Sequence, residues 1–549
     1  MLIRTIFILI ASVSLFAQCP QELFTDPVPV SQLSIRGIVL VTDRNRLLSK
    51  EELRSIRELH VMGVQIPGSY SKFQYAVQQY VGQALNDETL QRLKRTLYEY
   101  FRGCEHPFVT IGVPEQDFSE GVVQVVVQES KLGKVSVVGN HWLPAKRVSK
   151  YFDLKLGQPI CCNEISKDLN FVNRNPFRRV SVAYTPGSER NTTDVILEVQ
   201  DRRPYRFYVG FDNSGVVTTG RQRVFAGFSW DQVFNLDHTF FYQYTTNYDI
   251  KRFHANTLQY MVMLPKETIL NLYGGFSIVH ADLPNPARHN KGTNAQVSAR
   301  YHVPITPARS FTQEWIVGFD WKNTNNTMEF VDAAPRFGHT VNLTQFVIGY
   351  QWGWDRGSNF IRSGVETLFS PAQWLSNQTD ADFQTLRPGA NNTWVYAVCF
   401  FNYRRALPRS TSYVFFMRGQ WSSTALLPSE QLGIGGYDTV RGYDQRQYNA
   451  DNGFYLSNEF HTAPFTLIRT KKSSDKIYLL AFLDLGYGMD KVAVTGVKPH
   501  DFLMGIGPGI RYFWNPYVDG RLDVGFKLHN QASFTGGSPM VQFSFVGSY

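Results

Sequence analysis

The sequence predicts a mainly β protein in which two small α+β domains precede a transmembrane antiparallel β-barrel. Three observations carry this. Aromatic residues make up 14% of the chain, with 28 Tyr and 41 Phe, yet mean hydropathy is slightly polar and no apolar run beyond the N-terminus approaches the roughly 20 residues of a spanning helix. From Leu33 to about Asp201 helical and strand periodicities alternate. Beyond Pro204 the period is two throughout, in segments of about nine to eleven residues, the length of a tilted bilayer crossing. At 549 residues the chain exceeds what one ordinary core organises.

The N-terminus carries Arg4, an apolar stretch from Ile6 to Ala17, and then Gln18 and Cys19. A basic start, an apolar centre too short to span and a small residue at the cut describe a secretory signal peptide over 1–17. Acylation of Cys19 is disfavoured because Gln18 stands where a small residue is needed. A short linker, 18–32, follows.

Within Asn86 to Gly103, Leu90, Leu93, Leu97 and Phe101 recur at three- and four-residue steps, with Asn86 or Asp87 able to cap the start and Gly103 to end the run. This is an amphipathic helix. Strands follow at Phe108–Ile111 and at Gly121–Glu129, where Val122, Val123, Val125, Val126 and Val127 favour β structure. The plan recurs in brief: a strand at Lys134–Val138, helices at Pro144–Tyr151 and Asn163–Val172, and strands at Val180–Tyr184 and Val195–Val199. Each set makes a small sheet covered by helices, giving domains at 33–130 and 131–202. Pro159, Pro176 and Pro186 fall between elements, where a missing amide donor costs little.

The barrel is expected over 203–549, long enough for about 16 strands. In Tyr413–Trp421, Tyr413, Phe415, Met417, Gly419 and Trp421 share one face, and Val414, Phe416, Arg418 and Gln420 the other. In Arg521–His529 an apolar face of Leu522, Val524, Phe526 and Leu528 opposes Arg521, Asp523, Gly525, Lys527 and His529. A soluble sandwich also alternates; a charged second face is what a wet lumen adds. The chain ends on a strand with Val541, Phe543, Phe545, Gly547 and Tyr549 on one face. Such an end looks like the C-terminal signal of outer-membrane barrels, assigning Phe543, Phe545 and Tyr549 to barrel assembly.

Five cysteines, Cys19, Cys104, Cys161, Cys162 and Cys399, form no disulfide framework and no metal-ligand spacing. Adjacent Cys161 and Cys162 rarely bond each other, which leaves a bridge from Cys104 to either of them as the open alternative. The net charge of +9 and pI of about 9.1 come from residues spread along the chain, a solvated surface and lumen and no nucleic-acid patch. His106, His141, His238 and His254 stand far apart, so no metal is expected. Gly433, Gly435 and Gly436 lack the Lys-Ser/Thr and the helix of a phosphate loop. No catalytic residue and no cofactor is expected.

Three separated motifs resemble one family, the two-partner secretion outer-membrane transporters (TpsB). Leu432-Gly-Ile-Gly-Gly-Tyr-Asp-Thr-Val440-Arg441-Gly442-Tyr443 is similar to the family's inward-folded sixth extracellular loop, and the likeness continues through Gly453 to Asn458 and Glu459. Phe482-Leu-Asp484-Leu-Gly486 matches its Phe-x-Asp-x-Gly strand. Pro114-Glu-Gln116-Asp117 before Gly121 resembles the signature of the first POTRA domain, the polypeptide-transport-associated module. Leu169-Asn170, Asn175-Pro176, Tyr184-Thr-Pro186-Gly187 and Gly210-Phe-Asp212-Asn213-Ser-Gly215 fit the second and its passage into the barrel. The departures are a Gln18–Gln32 segment too short for the plug helix of many members, a first POTRA half diverged before Asn86, and Tyr549 where Phe is usual.

The resemblance implies a monomer in the bacterial outer membrane, with periplasmic POTRA domains that capture an unfolded, large, secreted TpsA-like partner and a barrel that exports it without nucleotide hydrolysis. Its other partners would be outer-membrane lipids and, during biogenesis, the barrel-assembly machinery. A barrel-assembly insertase of the same superfamily is the alternative, but usually carries more POTRA domains; a passive porin would need neither POTRA arm nor inward loop. The resemblance also places a loop of about 430–452 in the lumen, with Arg441 bonded twice to Asp484, Gly442 turning the tip, Gly486 leaving space beside the carboxylate, and Tyr443 and Phe482 packing around a partly shielded pair. Pro114, Gln116, Gly121, Asn170 and Pro176 mark the POTRA signatures. Arg174, Arg178 and Arg179 are basic residues available to attract the partner.

Overall fold

The computed structural model describes residues 33–280, 291–308, 311–326, 337–470, 473–492, 499–529 and 539–549; the expected signal peptide and linker lie outside them. The chain divides at Ser130 into two compact units.

In the first unit, β1 (Gly37–Val41) lies between β2 (Glu58–Met62) and β4 (Val122–Glu129), parallel to both, and β3 (Val109–Gly112) runs antiparallel on the far edge of β4. Every residue of β1 is buried, because both faces of the sheet are covered. Helices α2 (Tyr70–Gln78) and α3 (Asp87–Gly103) bring Phe73, Val77, Leu93, Leu97 and Phe101 against Ile38, Leu40, Val123 and Val125. The short α1 (Lys50–Leu53) and its flank bring Leu53 and Ile56 against Val39, Val41 and Val122. A strand buried on both sides shows no alternation, and for that reason β1 carries no period-two signal. The Asn86 side chain accepts from Thr89 N at 2.8 Å, capping α3 as its sequence implies.

The second unit opens with a three-stranded sheet in the order β5-β7-β6, made of β5 (Lys131–Val138), β6 (Arg178–Pro186) and β7 (Thr192–Asp201), with α4 (Ala145–Ser149) and α5 (Cys162–Val172) between. Cys104, Cys161, Cys162 and Cys399 are free thiols.

Sixteen strands then close a barrel. They begin with β8 (Tyr205–Asp212), β9 (Arg223–Asp231), β10 (His238–Thr246), β11 (Phe253–Met263), β12 (Ile269–His280), β13 (Lys291–Ala308), β14 (Phe311–Asn326) and β15 (Phe337–Arg356). Next come β16 (Asn359–Phe369), then α6 (Asp380–Leu386) in the long connection to β17 (Val395–Ala406), and β18 (Ser412–Ser422). A small hairpin of β19 (Leu432–Ile434) and β20 (Tyr448–Ala450) stands outside the barrel order, which resumes with β21 (Asn452–His461), β22 (Lys476–Met489), β23 (His500–Trp514), β24 (Val518–Lys527) and β25 (Met540–Ser548). All barrel pairs are antiparallel, and β25 closes on β8.

Alternation places the side chains. Phe207, Val209, Phe211, Trp315, Val317, Ile348, Leu522 and Phe545 are exposed on the outside, an apolar band suited to lipid. Asp320, Asp484 and Asp523 are buried inside. The closing strand carries its own ties: Phe211 packs on Phe543 and Phe545, the Tyr549 backbone exchanges two bonds with Phe207, and Arg203 donates to the Tyr549 hydroxyl at 3.1 Å.

Candidate functional site: a loop held in the barrel lumen

The connection from β18 to β21 folds into the lumen. Its β19–β20 hairpin leads through Gly435 and Gly436 to a tip at Val440-Arg441-Gly442-Tyr443, closed by a bond from Gly436 N to Val440 O at 3.0 Å. Gly442 has φ +96°, where a side chain is disfavoured, and its backbone lies against Gly525 of β24.

Arg441 donates from Nε to Asp484 Oδ2 at 2.7 Å and from Nη2 to Asp484 Oδ1 at 2.8 Å, and its backbone N–H adds a third bond to the same carboxylate at 3.0 Å. Nη1 reaches Glu459 at 2.5 Å, Nη2 also reaches Ser457 Oγ at 2.9 Å, and the Phe482 ring lies 3.6 Å below the guanidinium carbon. This fork-on-fork geometry is what guanidinium provides and ammonium does not. The pair is part of a larger lattice. Arg511 binds Asp523 with both terminal nitrogens at 2.7 and 3.2 Å, Arg521 Nε binds it at 2.7 Å, and Arg441 Nη1 stands 3.6 Å from it. Three guanidinium groups thus face Asp484, Asp523 and Glu459, with His461 on Glu459 at 2.7 Å.

Three expectations change here. The pair is not partly exposed: the Asp484 side chain has no accessible surface and that of Arg441 retains 3%. Tyr443 packs elsewhere, its hydroxyl donating to the His529 carbonyl at 2.5 Å and accepting from Met504 N, with Lys527 over its ring. Gly486 makes room for the loop's apolar side chains, since a Cβ there would stand 2.4 Å from Ile434 Cγ2 and 2.9 Å from Val440 Cγ2. Gly505 does for the tip backbone what Gly486 does for its side chains: a Cβ would sit 2.0 Å from the Arg441 carbonyl oxygen.

Two further anchors at the loop's root are absent from the sequence reading. Glu430 is buried and takes Lys322 Nζ at 2.7 Å, Tyr396 Oη at 2.7 Å and Gln345 Nε2 at 3.1 Å. Asp451 is buried and takes both terminal nitrogens of Arg387 at 2.5 and 2.9 Å, and Arg387 also bonds Asp490 and the Leu426 carbonyl. Arg387 follows α6, whose Phe383 and Leu386 pack with Trp394, Leu426 and Leu427. The only sequence signal is an acid at each end of a glycine-rich loop.

The other expected residues are distributed as follows. Gln116 bonds the Gln124 backbone in both directions, at 2.7 and 2.8 Å, beside the buried Pro114, and Gly121 O accepts from Arg36 N. Asn170 and Pro176 are exposed, while the neighbouring Asn175 is fully buried and donates to Asp231 at 2.7 Å. The expected trio of available arginines is corrected. Arg178 is buried and doubly bonded to Asp237 at 2.7 and 2.8 Å, and Arg174 is paired with Glu314 of β14. Both are taken up in joining the small sheet to the barrel; Arg179 alone is exposed. No group of ligands able to hold a metal occurs among the described residues.

Residues 191–512 match the family model described as haemolysin secretion/activation protein ShlB/FhaC/HecB. The chain is 25% identical over 371 residues to the outer membrane transporter CdiB of Dickeya dadantii strain 3937, covering 63% of this chain and 61% of that relative. It is 21% identical over 476 residues to the heme/hemopexin transporter protein HuxB of Haemophilus influenzae strain 86-028NP, covering 80% and 77%. The solved structure of CdiB from Escherichia coli superposes with a TM-score of 0.74 at 18% identity, covering 96% of this chain and 93% of that one.

Proposed function

The chain belongs to the haemolysin secretion/activation (ShlB/FhaC/HecB) family, and from that premise we propose that it exports a large, unfolded, TpsA-like partner across the bacterial outer membrane. Segments 33–130 and 131–202 act as the two POTRA domains that receive the partner in the periplasm. The exposed edges of their sheets offer unpaired backbone groups, which an unfolded chain can meet by strand addition without a fixed sequence. The barrel conducts the partner outward, and the lumen loop, fastened by Arg441 to Asp484, Glu459 and Ser457, keeps the resting channel obstructed. No nucleotide is hydrolysed; the chain acts as a translocator and not as an enzyme.

The observation that carries this reading is the buried Arg441–Asp484 pair at the tip of a loop inside a closed 16-stranded barrel. A general diffusion pore gains nothing from plugging itself with a charge lattice. The test is secretion in a strain lacking this chain, with every large protein that the parent strain releases followed in the medium. Restored export on re-expression supports the proposal. Loss of unrelated outer-membrane barrels in the deletion strain, with export unaffected, would replace it by the insertase alternative.

A further inference from the structure

We infer that the lumen wall formed by β16, β17 and β18 is a binding track for acidic side chains of an extended polypeptide, with Arg362, Arg404 and Arg418 as its rungs. The inference deepens the translocator reading and rests on it.

Strand register puts the three on one face. Arg362 of β16 stands opposite Asn402 of β17, which stands opposite Phe416 of β18. Arg404 lies one lumen-facing position nearer the periplasmic end, between Phe360 and Val414, and Arg418 one position farther out, beside Phe400. The inward direction is fixed by cavities. A space of about 170 Å³ at the periplasmic mouth is lined by Phe360, Arg362 and Glu314, and one of about 300 Å³ beneath the loop tip by Asn402, Val414, Phe416 and Arg441. From the mouth toward the loop the three arginines therefore zigzag across the wall, Arg404 on β17, Arg362 on β16 and Arg418 on β18, with phenylalanines between them.

Their charges are unspent. All three are exposed, and none has a carboxylate within ion-pair distance among the described residues. Arg300, Arg441, Arg511 and Arg521, which also face the lumen, each hold one. Four acids lie on or beside the wall: Glu366 of β16, bonded by Gln351 at 3.4 Å, Asp355 of β15 opposite Phe360, Glu314 in the mouth cavity with Arg362, and Glu459 of β21 opposite Val414. Glu314 is paired with Arg174 and Glu459 with Arg441, and none of the four is an ion-pair partner of a rung. Like charges directly opposite one another would destabilise the sheet; here each arginine faces a neutral residue, so the cations sit close together without that cost and focus field into a narrow lumen. An extended chain advances about 3.3 Å per residue, so its alternate side chains recur at the same two-residue step that separates one rung from the next along the strands. Carboxylates on that chain would find bidentate donors, and apolar side chains the intervening rings.

The test uses the full-length protein in planar bilayers, with a Glu-Ser repeat peptide and its Gln-Ser counterpart added on the periplasmic side. The acidic peptide is expected to block the current at a concentration at least about tenfold lower than the neutral one, with the difference shrinking in high salt. In the Arg362→Gln/Arg404→Gln/Arg418→Gln variant that difference should vanish, and in the corresponding triple Lys variant, which keeps the charge, it should persist in part. Equal block by the two peptides, or undiminished acidic block in the Gln variant, overturns the track. Either result leaves the translocator reading intact, because that reading stands or falls on export of the partner by the unaltered protein.

Discussion

Arg441 and Asp484, 43 positions apart in the chain, meet through side-chain bonds of 2.7 and 2.8 Å with the carboxylate wholly buried. Removing one member of an isolated buried pair costs about 3 to 5 kcal/mol; without Asp484, Arg441 loses three of its bonds but keeps Glu459, which lowers that cost. Asp484→Ala should therefore release the loop tip and lower export at least tenfold while the barrel still inserts, as followed by heat-modifiable migration in gels. Exchanging the charges, Arg441→Asp with Asp484→Arg, would restore function only if the pair stood alone. Here the new carboxylate would face Glu459 and Asp523, and the exchange should fail; full recovery would show that the surrounding lattice is dispensable.

Gly505→Ala tests the loop's seat without touching a charge. A Cβ there overlaps the Arg441 carbonyl oxygen, 2.0 Å away, and backbone on both sides cannot yield as a side chain does. The tip should be expelled, raising single-channel conductance over the unaltered protein. An unchanged conductance would mean that the loop does not limit the pore.

A second fastening lies at the far mouth. Arg387 ties the α6 connection to Asp451 and Asp490, and Phe383 and Leu386 pack over Leu426 and Leu427. Arg387→Ala strands the buried Asp451 and should raise outer-membrane permeability to large antibiotics several-fold. Arg387→Lys, which keeps charge but loses the planar fork, should give an intermediate value.

The junction between the second small domain and the barrel should respond to pH. Burial, and the nearby Glu267 carboxylate, push the Asp168 carboxyl up to about 7. The unfolded chain releases this proton near the ordinary value of about 4, so between about pH 4 and 7 the folded form binds more protons. Stability from this group is complete below that window and is lost as pH rises through it. Melting temperature in detergent should fall across the window, and Asp168→Asn should flatten the decline; an equal slope in both would remove Asp168 as its source.

Arg178 supplies the contrast with a partner-binding surface. Because it is buried against Asp237, Arg178→Ala should lower the melting temperature by several degrees even at high salt. Arg179→Ala, at an exposed position, should leave it unchanged, since solvated charges contribute about 0 to 1 kcal/mol.

Periodicity and local chemistry are enough for much of this protein. The α3 helix with its Asn86 cap, the alternation that turns Asp523 inward and Leu522 outward, and the apolar outer face of the last strand follow from residue spacing alone, because backbone geometry sets which side chains share a face. Other features depend on long-range closure. The doubly covered β1 shows no period, so its place in the sheet centre emerges only when helices pack on both sides. Arg178 and Arg179 are adjacent and alike in sequence, yet one is buried against a barrel turn and the other faces water. The Arg441 lattice draws on β21, β22, β23 and β24, and the Gly505 contact on an approach of two backbones. Burial, and the pairing of charges it compels, are properties of the closed barrel, and no local window of sequence contains them.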